Sequence, residues 1–162
     1  MYGRSEPARQ DPRPVSEKAF QHQCIRALIT YLSGHGYDRP ISPKLLTTPT
    51  GKEFLYIVQF LFRRVDPNIK FGPKLEDEVP VLFKRLRYPF PISKAALYAV
   101  GSPHTWPALL AALTWLVELL TYEEKADLAK SGDFDRDNGH RVFFDYVGKA
   151  YQVAPVQQVK LK

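Results

Sequence analysis

From Ala108 to Val117 the chain reads Ala-Leu-Leu-Ala-Ala-Leu-Thr-Trp-Leu-Val, apolar on every face that a helix could present. A helix without a polar stripe has to be buried all round. The rest of the chain must therefore wrap this segment, which places a helix over about 106–122, with Trp115 in its middle, at the centre of the fold. It is too short to be a membrane span. Glu118 follows Val117 directly and Glu123 and Glu124 come soon after, whereas a span needs about 20 consecutive apolar residues. The N-terminus offers no apolar run that could serve as a secretory signal. A soluble, intracellular protein is expected.

The stretch leading into this helix has the opposite character. Phe90-Pro91-Ile92-Ser93-Lys94 and Gly101-Ser102-Pro103-His104-Thr105-Trp106-Pro107 are rich in proline and glycine and carry Lys94 and His104. Such a segment belongs on the surface. A basic loop fed by a rigid core element suggests a binding surface mounted on a scaffold.

The remaining elements read as helices. Met1 to Val15 is polar, and Pro7, Pro12 and Pro14 oppose helix, so this segment is expected to be disordered. Ser16 is the expected N-cap of a helix that buries Phe20, Cys24, Ala27, Leu28, Tyr31 and Leu32, and Gly34 and Gly36 end it. Ser42-Pro43 reads as a cap followed by a first-turn proline, opening a short helix through Leu46. Thr50 and Glu53 have capping-box spacing ahead of a helix that buries Phe54, Ile57, Val58, Leu61, Phe62 and Val65. Leu75, Val79, Leu82, Phe83 and Leu86 keep helical spacing, with Pro80 either kinking the pattern or marking a new first turn. Ser93 caps a very short helix around 94–97. A last helix is expected over about 140–151. No stretch alternates in the manner of a strand and no internal repeat is visible. The expected fold is all-α, helices around one central apolar helix.

The chain of 162 residues carries a net charge of +6, which favours nucleic acid, anionic membranes or acidic proteins as partners. The excess is regional. Between Lys44 and Lys94 lie Lys52, Arg63, Arg64, Lys70, Lys74, Lys84, Arg85 and Arg87, while the segment from Glu123 to Asp137 turns acidic. No zinc-finger spacing, no RNA-recognition aromatic motif and no helix pairing arginines with base-reading asparagines is present, which argues against nucleic acid.

Catalytic and metal motifs fail on inspection. Asp133-Phe134-Asp135-Arg136-Asp137-Asn138-Gly139 starts like a calcium loop. Such a loop needs glycine at its sixth position and a bidentate glutamate at its twelfth; here Asn138 and Phe144 stand there. The four histidines, His22, His35, His104 and His140, lack ligand spacing. Phosphate-binding, dinucleotide-binding and serine-nucleophile glycine motifs are missing. The single cysteine, Cys24, sits in an apolar stripe and cannot form an intrachain disulfide. The chain is read as a non-enzyme without metal or cofactor.

Four blocks carry a resemblance: Asp11-Pro12-Arg13-Pro14 with Lys18-Ala19-Phe20; Gln23-Cys24-Ile25-Arg26; Glu78-Val79-Pro80 with Tyr88-Pro89-Phe90; and Ser93-Lys94 through Val100-Gly101-Ser102-Pro103-His104-Thr105-Trp106-Pro107. Over about 11–122 the chain resembles the calponin-homology heads of the Hec family of kinetochore proteins, the Ndc-eighty subunits of the outer kinetochore's microtubule-binding complex. The resemblance implies a calponin-homology fold in a nuclear protein at the kinetochore, the centromeric region of the chromosome, acting in chromosome segregation at mitosis. It implies contact with tubulin, and pairing with the head and coiled coil of a Nuf subunit in a complex that includes Spc subunits. It implies no nucleic-acid or membrane partner. Carried over by matching position, Lys94 and His104 lie in the protruding toe that meets the tubulin lattice, and Lys18, Lys44, Lys52 and Lys74 match basic contact positions. The implied division is a disordered segment over 1–14, the head over 15–122, and an acidic linker, helix and tail over 123–162, with Phe143-Phe144-Asp145-Tyr146-Val147 leading toward a coiled coil. Only about a dozen residues precede the matched region and no long coiled coil follows it, so the sequence reads as a piece of a longer protein. The competing reading is a calponin-homology module that binds actin or acts as an adaptor, since fold alone does not separate these roles.

Overall fold

Three of the helices begin where the chain supplies a side-chain cap. The computed structural model describes residues 10–130, and among them all regular structure is helical. The order is α1 (Lys18–Gly34), α2 (Pro43–Thr47), α3 (Gly51–Val65), α4 (Leu75–Arg85), α5 (Lys94–Leu97) and α6 (Trp106–Lys130). Ser42 Oγ accepts from Leu45 N at 3.1 Å and Pro43 follows in the first turn. The capping box of α3 closes in both directions: Glu53 N donates to Thr50 Oγ1 at 3.2 Å and Thr50 N to Glu53 Oε2 at 2.7 Å. Two orphan amides are thereby satisfied.

α6 is the centre of the molecule. From Leu109 to Val117 every side chain is buried, and Trp115 and Leu113 are almost completely enclosed. α1 packs along it most extensively and α3 lies against another side, while α4 reaches the core through α3. Aromatic rings fill the joints. Tyr88 meets Trp115 at 5.0 Å between ring centres, Phe83 at 5.5 Å and Phe90 at 5.5 Å, all edge to face, a favoured arrangement for aromatic pairs.

The structure departs from the sequence expectations in several places. Arg13 ties residues 11–14 to the core, so the expected disorder through Val15 does not extend over them. Its guanidinium forks onto Asp11 (Nε to Oδ1 2.9 Å, Nη2 to Oδ2 2.6 Å), donates to the Ala111 carbonyl of α6 at 2.9 Å and to Tyr88 Oη at 2.5 Å. Burial works against this charge, yet the Asp11 and Tyr88 contacts raise the Arg13 pKa overall. Ser16 is not the cap of α1. It lies in a turn, and Glu17 takes the N-cap position without a side-chain bond. Ala27 is exposed and Ile25 is buried instead, because the face centred on Leu28 takes in Ile25 three residues before it and leaves Ala27 on the solvent flank. Pro80 neither starts a helix nor ends one; α4 runs through it.

α6 continues past Tyr122 to Lys130. The switch from apolar to acidic residues marks only the point where the helix leaves the core. Beyond it, Glu124 accepts from Tyr31 Oη at 2.8 Å, His35 Nε2 at 2.8 Å and Arg64 Nη2 at 2.9 Å, fastening α6 to the ends of α1 and α3. The calcium-like segment and the helix expected over about 140–151 lie outside the described residues.

Both loop reversals after α1 and α4 use the same left-handed stop. Gly36 (φ 80°) ends α1, with Tyr37 N donating to Leu32 O at 3.0 Å. After α4, Tyr88 N donates to Phe83 O at 3.0 Å and Arg87 N to Lys84 O at 3.0 Å. This is the double bond pattern that satisfies terminal carbonyls. Here the left-handed position is held by Arg87 at φ 62° rather than by glycine.

Candidate functional site

The loop between α4 and α6 is a staircase of short turns. Ser93 Oγ accepts from Ala96 N at 3.2 Å and opens α5. Backbone bonds then step forward: Ala99 N to Ala96 O at 3.1 Å, Ser102 N to Ala99 O at 3.1 Å, Trp106 N to Ser102 O at 2.9 Å. Thr105 Oγ1 donates back to the Ala99 carbonyl. Leu97, Val100 and Trp106 are buried and nail the staircase to the core. Trp106 Nε1 donates to Leu46 O of α2 at 2.8 Å. Gly101 lies so close to Pro49 that a Cβ there would sit 2.6 Å from the Pro49 carbonyl oxygen. A larger residue would push the loop off the α2–α3 corner, so glycine is required for the approach.

Two of the residues expected in a contact surface stand on this rigid mount. Lys94 is the first residue of α5, and His104 is exposed just ahead of α6. The Lys94 ammonium is not free. It lies 3.0 Å from Asp77 Oδ1 in the first turn of α4. The hydrogen bond and charge of Asp77 hold Lys94 above the ordinary lysine range. At 61% side-chain exposure this pair is screened by water and adds little to folding; its chief effect is to orient the amine.

The other four expected residues are all exposed. Lys74 stands at the N-cap of α4, one turn before Asp77, and so shares the Lys94 end of the molecule. Lys52 lies in the first turn of α3, beside the corner that Gly101 abuts. Lys44 lines a groove of about 450 Å³ between α1 and α2, together with His22, Ile25, Arg26, Pro43 and Thr47. Lys18 opens α1. Its spacing to His22 and Arg26 puts all three on one helix face, so His22 and Arg26 extend the basic edge beyond the residues singled out from sequence. The fourfold spacing of Lys18, His22 and Arg26 was the available signal for them. Asp77 had no comparable signal, because its partner lies on another element.

Among the described residues no cluster of histidine, cysteine, aspartate and glutamate could hold a metal ion, and no helix is long and apolar enough to cross a membrane. Cys24 is buried, and burial pushes its thiol pKa up, away from a reactive thiolate.

The model of the HEC/Ndc80p family matches residues 19–131. The chain is similar to the "Kinetochore protein NDC80 homolog" of Mus musculus, 40% identical over 153 residues, covering 88% of this chain and 24% of that protein. It is 46% identical over 109 residues to the Xenopus laevis homolog, covering 67% of this chain and 17% of that protein. It is 36% identical over 149 residues to "Kinetochore protein ndc80" of Schizosaccharomyces pombe, covering 88% and 24%. The chain thus spans about a quarter of the length of the mouse and fission-yeast relatives. A match over nearly the whole described region, on an all-α, calponin-homology-type arrangement, shows that the chain belongs to the HEC/Ndc80p family.

Proposed function

We propose that this chain is the microtubule-binding head of an outer-kinetochore complex, which couples chromosomes to spindle microtubules in the nucleus. One observation carries the reading: in a member of the HEC/Ndc80p family, a loop fixed to the core by Trp106 and Gly101 holds Lys94 and His104 out to solvent. Tubulin is the acidic partner. Lys94 and His104 meet it through the toe, and Lys18, Lys44, Lys52 and Lys74 add cationic contacts from the neighbouring helices. Charges arranged in this way raise the rate of encounter and fix register, and both effects weaken with salt. The Lys94–Asp77 pair holds the amine beside the first turn of α4 until a tubulin carboxylate replaces Asp77. The head works by binding and not by catalysis. Its partners within the complex are the head and coiled coil of a Nuf subunit and, further along, the Spc subunits.

Charge reversal tests the reading. Lys94→Glu should weaken microtubule binding several-fold at low salt, by removing an attraction and adding a repulsion, and should leave the melting temperature nearly unchanged. Lys84→Glu, exposed on the far turn of α4, is the control and should bind almost like the parent. Equal losses in both variants would mean a diffuse basic cloud and not a defined contact. Parent-like binding by Lys94→Glu at low salt would remove the toe from the mechanism.

A further inference from the structure

Three large apolar side chains are exposed among the described residues: Val81 at 50%, Tyr98 at 70% and Leu128 at 77%. Two of them flank the Lys94–Asp77 ion pair. Tyr98 lies one helical turn after Lys94, and Val81 one turn after Asp77 on α4, the helix that packs against α5. We propose that Tyr98, supported by Val81, is an apolar anchor that enters a crevice rimmed by carboxylates on a partner protein. The proposal rests on the reading given above and names tubulin as that partner.

The fold gives no reason for Tyr98 to stand in water. Its backbone is fixed, since its amide donates to Ala95 O at 3.3 Å, and Leu97 and Val100 on either side are buried at 4% and 3% exposure. The ring is therefore held outward on an immobile support. An isolated exposed apolar residue needs no explanation. Two large ones beside an ion pair, Tyr98 on a loop otherwise pinned to the core and Val81 on the adjoining helix α4, make a patch of mixed character. Tyrosine suits such a place. It brings a large contact area, has few torsions to freeze and carries a polar tip that tolerates water before binding, and it is enriched among the residues that dominate binding energy. The neighbouring charge defines the partner's chemistry. Lys94 can exchange Asp77 for an external carboxylate, so the crevice that receives the ring should carry acidic groups at its edge.

An apolar anchor and a cationic contact respond differently to salt, because screening acts on charges and leaves apolar burial in place. The experiment is co-sedimentation of the 162-residue chain with microtubules at low and at raised salt. Tyr98→Ala should weaken binding at least about tenfold, with the same fold-loss at both salt levels, and Tyr98→Phe should retain most of the affinity. Lys94→Glu should lose its effect as salt rises. Val81→Ser, on a different helix, should give a smaller loss that is likewise insensitive to salt, and it keeps the test valid if Tyr98→Ala disturbs the loop. If the parent sediments with microtubules while Tyr98→Ala and Val81→Ser match it, the anchor is wrong and the tubulin reading stands. A loss in Tyr98→Ala that fades with salt as in Lys94→Glu also overturns the anchor. A parent that fails to sediment overturns the reading and the anchor with it.

Discussion

Replacing Arg13 with methionine should destabilise the head by about 2–3 kcal/mol, although Arg13 precedes every helix. The structure supplies the terms. Methionine keeps an apolar stem of similar length and removes the guanidinium. Asp11, 19% exposed, then keeps its charge without its 2.6 Å partner. The Tyr88 hydroxyl and the Ala111 carbonyl lose donors at 2.5 and 2.9 Å, and the contacts of the guanidinium with the Tyr88 and Phe90 rings, at 5.6 and 5.0 Å, disappear. Removing one member of a fully buried pair costs roughly 3–5 kcal/mol. Asp11 sits on a short segment that can swing into water, which recovers part of that loss and sets the lower figure. Urea unfolding followed by fluorescence of the two tryptophans measures it well, because Trp115 packs on Tyr88. Adding Asp11→Asn to Arg13→Met removes the stranded charge, so the double variant should lose less than the sum of the two single losses. A stability of Arg13→Met within about 0.5 kcal/mol of the parent, the range of ordinary surface changes, would refute the claim that residues 11–14 are part of the folded head.

Arg87→Gly should stabilise the protein by roughly 0.5–1 kcal/mol, because glycine relieves the left-handed strain at φ 62° and gives back part of the gain as unfolded-state entropy; thermal unfolding reads the sign directly. Trp115→Ala, at the buried middle of α6, should cost about 3–5 kcal/mol, and an unchanged melting temperature would show that α6 is not the centre of the core. The Glu124 carboxyl feels burial, which raises its pKa, but the Arg64, Tyr31 and His35 donors outweigh burial and hold it below the ordinary carboxylate range. A depressed carboxylate contributes stability above its unfolded pKa and loses it as pH falls through the folded value. The urea midpoint should therefore drop on acidification below the usual carboxylate range, less steeply in Glu124→Gln, and parallel acid limbs would contradict this.

Much of the fold was legible because its signals are local. Ser42, the Thr50–Glu53 pair and Ser93 each announce a helix start within four residues, and the caps form as their spacing suggests. The unbroken apolar run in α6 required burial on all sides, and the core closes around it from Leu109 to Val117, while Ala108 at its start is exposed. What was hidden depends on contacts between distant residues. Arg13 reaches Ala111 across 98 positions, so a proline-rich, polar segment looked unstructured. Glu124 continues α6 through partners on α1 and α3, where polarity alone suggested a linker. The exposure of Lys94 was readable from its setting among prolines, but its pairing with Asp77 and the outward ring of Tyr98 follow from the placement of α5 against α4.

The most direct test of the central claim is co-sedimentation of the chain, in parallel, with microtubules and with actin filaments at two salt concentrations. A basic head that reads the tubulin lattice should pellet saturably with microtubules, release as salt rises, and stay in the supernatant with actin. Equal pelleting with actin, or none with microtubules at low salt, would contradict the account.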